Sequence, residues 1–177
     1  GAGVLREWKD PHFHRNMTWG EVGCALSHMR VYEMCVESGV EVAVVLEDDS
    51  SVPRDLTDRV AGCLAELPGT WELCYLGRKA MDANDEDFSA TLLRPGYSYW
   101  ACSYMVSTSG MRKLLSMKRS LVPIDEMIPI AARTSPHEQY NGIFVDEPLA
   151  TFSLRDLICF PEIEGPSETE NTGVLEH

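Results

Sequence analysis

The chain has 177 residues, 44% of them hydrophobic, and a formal net charge of −13. That apolar content suits one domain with its own core, and the negative charge argues against nucleic acid and anionic membrane surfaces as partners. No apolar run approaches the roughly 20 residues of a membrane span.

Residues 1–17 show no period and read as a loop, with His12 and His14 on its surface. Thr18 and Glu21 form a capping-box pattern. A helix follows to about Ser38 and stops at Gly39, with Val22, Ala25, Leu26, Met29, Tyr32 and Val36 at helical spacing. A strand covers 41–47. Pro53 opens a second helix that runs to Leu67 and closes at Pro68-Gly69. Strand 71–76 ends at Gly77, an acidic loop spans 80–90, and a strand or edge segment lies near 90–94. Strand 99–107 leads into a short helix capped by Ser107, Thr108 or Ser109 and running to Met117. Pro123 starts a helix to about Arg133, and short strands fall near 149–153 and 157–160. Strand and helix alternate, so the expected fold class is α/β, a mixed sheet flanked by helices. The expected organisation is one domain over 1–164 and a flexible acidic tail over 165–177, in which Leu175-Glu176-His177 resembles a tag remnant.

The six cysteines, Cys24, Cys35, Cys63, Cys74, Cys102 and Cys159, form no C-x-x-C pair, which argues against structural zinc. Most stand in apolar contexts, as buried free thiols do. One or two disulfides stay open. Asn16-Met17-Thr18 is a glycosylation sequon.

The most informative stretch is Val42 to Leu46 followed by Glu47, Asp48 and Asp49. The apolar run is expected to be buried on both faces. If the strand continues, Glu47 and Asp49 point the same way. Like charges side by side repel unless a cation sits between them, and carboxylate oxygens suit Mg²⁺, Mn²⁺ or Ca²⁺. The alternative is a solvated acidic turn. No phosphate loop or Gly-rich dinucleotide loop occurs in the sequence, and no segment has EF-hand spacing.

Several motifs then converge. Gly20-Glu21-Val22-Gly23-Cys24-Ala25-Leu26-Ser27-His28 and Leu46-Glu47-Asp48-Asp49 resemble the signature of glycosyltransferase family 25. Trp71 through Lys79 resembles the family's next strand with its trailing basic pair. Tyr97 through Leu115 resembles the following strand and helix, and Pro123-Ile124-Asp125-Glu126-Met127-Ile128-Pro129 the acidic motif after it. The order is most similar to the collagen-modifying branch and its cell-adhesion-named relative.

The resemblance implies a GT-A-like nucleotide-sugar-binding fold, truncated at its N-terminus. It also implies metal-dependent, inverting transfer of galactose from UDP-galactose to collagen hydroxylysine. Bacterial relatives extend lipo-oligosaccharides. The implied compartment is the endoplasmic reticulum lumen for the collagen branch and the cytoplasm for a bacterial enzyme.

On this reading Glu47, Asp48 and Asp49 hold Mn²⁺ or Mg²⁺ against the UDP diphosphate, and Asp125 or Glu126 is the general base. Ser27 and His28 contact the donor or acceptor, Arg78 holds phosphate, and Tyr99 and Trp100 stack on a sugar. Each has a plainer alternative: a charged turn, a helix cap at Asp125, a satisfied buried histidine, a solvated basic pair at Arg78 and Lys79, aromatic core packing. Two features depart from the family pattern. The family's opening strand-helix-strand unit has no counterpart, and Ile163 stands where this branch has a histidine, with Glu162 and Glu164 beside it. They favour the competing reading, a non-catalytic binding or adhesion module of the same fold.

Overall fold

The computed structural model describes residues 2–11, 13–140, 145–162 and 172–175. Helix α1 spans Trp19–Glu37. Its start follows from local chemistry: the Thr18 side chain accepts from the Glu21 amide, and the Glu21 carboxylate accepts from the Thr18 amide. Gly39, at φ 69°, follows its end. The remaining helices are α2 (Leu56–Glu66), α3 (Thr108–Ser116) and α4 (Ile124–Ala132). Ser107 caps α3 by accepting from the Gly110 amide.

The strands are β1 (Val42–Leu46), β2 (Ser50–Ser51), β3 (Leu73–Ala80), β4 (Glu86–Asp87), β5 (Leu92–Arg94), β6 (Ser98–Ser107), β7 (Thr151–Leu154) and β8 (Phe160–Pro161). Six form one sheet in the order β1-β6-β3-β7-β5-β4, and β2 pairs with β8 separately. Only β3 and β7 run parallel; the other pairs in the sheet are antiparallel. The sheet is therefore mixed, as the alternation of elements predicts.

Each central strand buries both faces. On β3, Leu73 and Tyr75 enter one core while Cys74 and Leu76 enter the other. On β6, Tyr104 and Val106 face the first core and Met105 the second. The first core joins the sheet to residues of α1, α3 and α4, with Trp8 and Met17 sealing it. The second takes Cys63 and Leu67 from α2 and its end. Helices thus cover both faces.

The structure corrects the expectation for β1. This strand lies at the edge of the sheet, and Val42, Val44 and Leu46 are exposed; only Val45 is buried. An apolar run signals burial on both faces only when neighbours flank it, and among the described residues β1 pairs with β6 alone. The acidic segment 80–90 is not a bare loop. It contains β4, and Asp85 accepts from the Gly96 amide at 2.9 Å and pairs with Arg78.

All six cysteines are free. The Asn16 side-chain amide donates to the Leu175 carbonyl at 2.9 Å, which ties up the sequon. Residues 172–175, grouped with the tail in the sequence, are fastened to the start of α1. Trp19 N donates to Gly173 O, Leu175 N to Met17 O, and Val174 bridges Thr18.

Candidate active site

Cys24 and His28 lie one helical turn apart on α1, on the side that meets the end of β1. His28 is buried. Its Nδ1 lies 2.6 Å from Tyr104 Oη and its Nε2 lies 3.0 Å from Glu47 Oε1. Its ring also stacks on Tyr104, and Tyr104 hydrogen-bonds Tyr32, so the imidazole is fixed from both sides. Cys24 Sγ lies 3.6 Å from the same Glu47 oxygen. Burial, then Glu47, Asp125 and Asp49, hold the Cys24 thiol far above its ordinary range.

The chain does not stay extended through the three acids. β1 stops at Leu46, and the Ser50 amide donates to the Glu47 carbonyl at 3.1 Å, closing a turn that leads into β2. The alternation expected of Glu47 and Asp49 is therefore lost. Glu47 turns toward α1, while Asp48 and Asp49 are exposed. Among the described residues, the one group of three whose ligand atoms lie within 4.8 Å of one another is Cys24, His28 and Glu47. Asp49 is nonetheless held above the usual carboxylate range by partial burial, Glu47, Asp48 and Glu162. Glu162 comes from beside β8, and its amide donates to the Asp49 carbonyl at 2.7 Å. Oxygen donors with uncompensated negative charge fit a hard divalent cation.

The second acidic pair opens α4. Its N-cap is Pro123 and no side chain caps it, so Asp125 has no capping role. Burial, then Glu126, push the Asp125 carboxyl up to about 7, with Glu47 and Glu21 adding to the rise. Those two distant partners show that the start of α4, the end of β1 and the start of α1 share one electrostatic neighbourhood. Glu126 is only 2% exposed. Its Oε1 accepts from Tyr97 at 2.6 Å and from Tyr99 at 2.7 Å, while its Oε2 has no protein partner. Burial keeps its carboxyl above the ordinary range, against the lowering by the two phenols. Tyr97 was not among the sequence candidates. Its spacing from Tyr99, two residues earlier at the entrance to β6, is the signal that could have found it.

Trp100 has φ 69° inside β6, where two β3 residues, Gly77 and Lys79, face Ser103 and Tyr99 across a bulge. A left-handed backbone at a tryptophan is strained, and such strain clusters at functional sites. The bulge presents the half-buried ring with Lys79 Nζ 5.9 Å above it. Tyr99 is occupied by Glu126, as above. Ser27 is exposed and donates back to the Gly23 carbonyl at 3.0 Å. Arg78 is buried, with Nε donating to Ser153 at 2.9 Å, one Nη donating to Ser98 at 3.0 Å and the other pairing with Asp85. Its guanidinium thus braces β3 against β6 and β7. His12, Ile163 and Glu164 lie outside the described residues.

The structure therefore brings His28, Glu47, Asp125 and Glu126 to one end of the sheet on a GT-A-like mixed α/β scaffold. Comparison with known sequences agrees with that class. The profile of glycosyltransferase family 25 (LPS biosynthesis protein) matches residues 2–95, more than half of the chain. The chain belongs to glycosyltransferase family 25.

A "Glycosyltransferase 25 family member" of Aedes aegypti is 39% identical over 168 residues, 91% of this chain and 28% of that protein. A "Probable inactive glycosyltransferase 25 family member 3" of Bos taurus is 36% identical over 97% of this chain and 31% of its own length. "Procollagen galactosyltransferase 1" of Danio rerio is 31% identical over 91% of this chain and 28% of its own length. The chain thus spans about three tenths of these relatives. No helix among the described residues is long and apolar enough to cross a membrane.

Proposed function

We propose that this site transfers a sugar, galactose in the first instance, from a UDP-sugar to an acceptor hydroxyl with inversion. The acceptor is a hydroxylysine of a collagen-like chain or a glycan hydroxyl. The observation that carries the reading is the placement of half-buried Asp125 at the start of α4, beside buried Glu126 and within the field of Glu47; burial and those two carboxylates push its carboxyl up to about 7. A general base works best when its pKa lies near the operating pH. Asp125 takes the hydroxyl proton as the acceptor oxygen bonds to the anomeric carbon. The bond from that carbon to the UDP oxygen breaks, and UDP leaves with the electron pair.

Glu126, held by Tyr97 and Tyr99, keeps the carboxylate field that raises Asp125. Asp48 and Asp49, with Glu47, are the residues that would hold Mn²⁺ or Mg²⁺, and the ion would offset charge on the departing diphosphate. Trp100, raised on its bulge, offers an aromatic face to the sugar. Ser27, exposed beside His28 on α1, offers a hydroxyl to the donor. For a collagen-type acceptor the compartment is the endoplasmic reticulum lumen.

A second reading has its own support. The Bos taurus relative with "inactive" in its name is at least as similar to this chain as the Danio rerio galactosyltransferase. On that reading the domain binds without transferring. Calorimetric titration of UDP-galactose with and without Mn²⁺, paired with a transfer assay on a hydroxylysine peptide, separates the two. Metal-dependent binding with transfer that Asp125→Asn removes supports the enzyme. Metal-dependent binding without transfer supports the binding module. Metal-independent binding, or binding unchanged in Asp49→Ala, overturns the metal assignment.

A further inference from the structure

The geometry points to a second metal site, for Zn²⁺, formed by Cys24 Sγ, His28 Nε2 and Glu47 Oε1. These three atoms come from two elements and lie within 4.8 Å of one another. In a tetrahedral zinc centre, bonds of about 2.3 Å to sulfur and about 2.0–2.2 Å to nitrogen and oxygen put S and O about 3.6 Å apart and N and O about 3.3 Å apart. Here the S to O distance is 3.6 Å and the N to O distance is 3.0 Å. The sulfur and the imidazole nitrogen lie within 4.8 Å of each other, and a side-chain adjustment of up to about 1 Å at Cys24, with a few tenths at Glu47, brings the three onto one ion. Thiolate and imidazole are soft and borderline donors, which select zinc over Mn²⁺ or Mg²⁺. The site is thus chemically distinct from the oxygen donors Asp48 and Asp49, although Glu47 belongs to both. It does not depend on the transferase reading.

The surroundings of His28 supply a second, independent observation. Metal-bound histidines usually have their other ring nitrogen held by a partner that sets the tautomer. Nδ1 of His28 has such a partner at 2.6 Å, Tyr104 Oη, itself backed by Tyr32. Without metal, Nε2 carries the proton toward Glu47 and Tyr104 donates to Nδ1. With metal, Nε2 gives its lone pair to the ion, Nδ1–H donates to Tyr104, and Tyr104 donates onward to Tyr32. A pair of phenols can run in either direction, so each ring nitrogen and each phenol oxygen keeps a partner in both states. The Cys24 thiol yields its proton to solvent as the zinc–sulfur bond forms. Three protein ligands leave a fourth position for water or for an oxygen of a bound molecule.

The test uses Co²⁺ on the whole chain without nucleotide, with Zn²⁺ as competitor. The expected result is one equivalent of Co²⁺ giving a thiolate-to-metal charge-transfer band that Zn²⁺ erases. Cys24→Ser should remove that band while Cys35→Ser, elsewhere on α1, keeps it. Tyr104→Phe, which leaves the ring and removes the partner of Nδ1, should weaken Zn²⁺ binding about 10–100-fold. Absence of the band in the parent chain, or its persistence in Cys24→Ser with an unchanged circular dichroism spectrum, overturns the site.

Discussion

Glu47 Oε1 stands 3.0 Å from His28 Nε2, joining the turn after β1 to the buried face of α1. Because Nδ1 is already taken by Tyr104, this contact completes the hydrogen bonding of the imidazole. Glu47→Gln keeps an acceptor oxygen and should cost less than about 1 kcal/mol. Glu47→Leu leaves Nε2 buried without a partner and should cost about 1–3 kcal/mol. Urea unfolding of both variants, in the presence of a chelator, measures the difference. Equal stabilities would mean that water reaches His28.

The Asp125 carboxyl gives a pH dependence with a definite sign. Its folded pKa, about 7, lies above the ordinary value of 3.8, so between them the native state holds a proton that the unfolded chain has released. Stability therefore falls as pH rises across that window and levels off above it. The groups that raise it are Glu126 on its own helix, Glu47 after β1 and Glu21 on α1. Asp125→Asn, an uncharged isostere, should match the parent near pH 4 and exceed it by a few kcal/mol at pH 8. Urea midpoints at the two pH values decide. A variant no more stable at pH 8 would show that the carboxylate is well solvated.

Glu126 is a different case, because its buried carboxyl serves two phenols. Glu126→Gln retains an oxygen for Tyr97 and Tyr99 and places an amide where Oε2 has no protein partner. It should change stability by less than about 1 kcal/mol. Glu126→Ala removes the acceptor that both hydroxyls share and opens a cavity, and should cost about 2–4 kcal/mol. Thermal unfolding at pH 7 ranks the two; the reverse order would mean that the buried charge, not the hydrogen bonding, dominates.

The sequence was most legible where the signal is local. The Thr18–Glu21 capping box, Gly39 and the helical spacing of Val22, Ala25 and Met29 place α1 to within a residue or two. Strand β6 and the helix after it were equally plain, with Ser107 settled as the cap from the three hydroxyl residues in a row. The site was legible through the acids and His28, since both belong to motifs. Non-local pairing was hidden. Val42 to Leu46 looks the same in sequence at the edge of a sheet as in its middle, and only the strand order exposes it. The turn at Glu47 to Ser50 contains neither Gly nor Pro; its Asp-Asp-Ser composition supported the alternative of an acidic turn but did not decide against continued alternation. The bulge at Trp100 is a mismatch between two strands, which one strand's sequence does not encode. Cys24 read as a buried thiol until the fold brought Glu47 to it.

The approach of the final strand to the sheet supplies the last prediction. Gly77 lies in the middle of β3, and a Cβ there would stand 2.1 Å from the Cys159 carbonyl oxygen and 2.7 Å from Ser103 Oγ. The serine could rotate, but the carbonyl belongs to a backbone fixed by two hydrogen bonds, from the Ile158 and Cys159 amides to Leu76 O. Those bonds seat the chain just before β8, which pairs with β2 and brings Glu162 against Asp49. Gly77→Ala must push this segment outward, at a cost of about 3 kcal/mol or more. Gly62, with nothing within 4 Å of its added Cβ, is the control. Because Gly62 lies inside α2, Gly62→Ala should stabilise by about 0.5–1 kcal/mol. Chemical denaturation compares the two. Hydrogen exchange should localise the first effect to faster exchange of the Ile158, Cys159 and Glu162 amides. Normal protection of those amides in Gly77→Ala would mean that β3, rather than the segment over it, absorbs the clash.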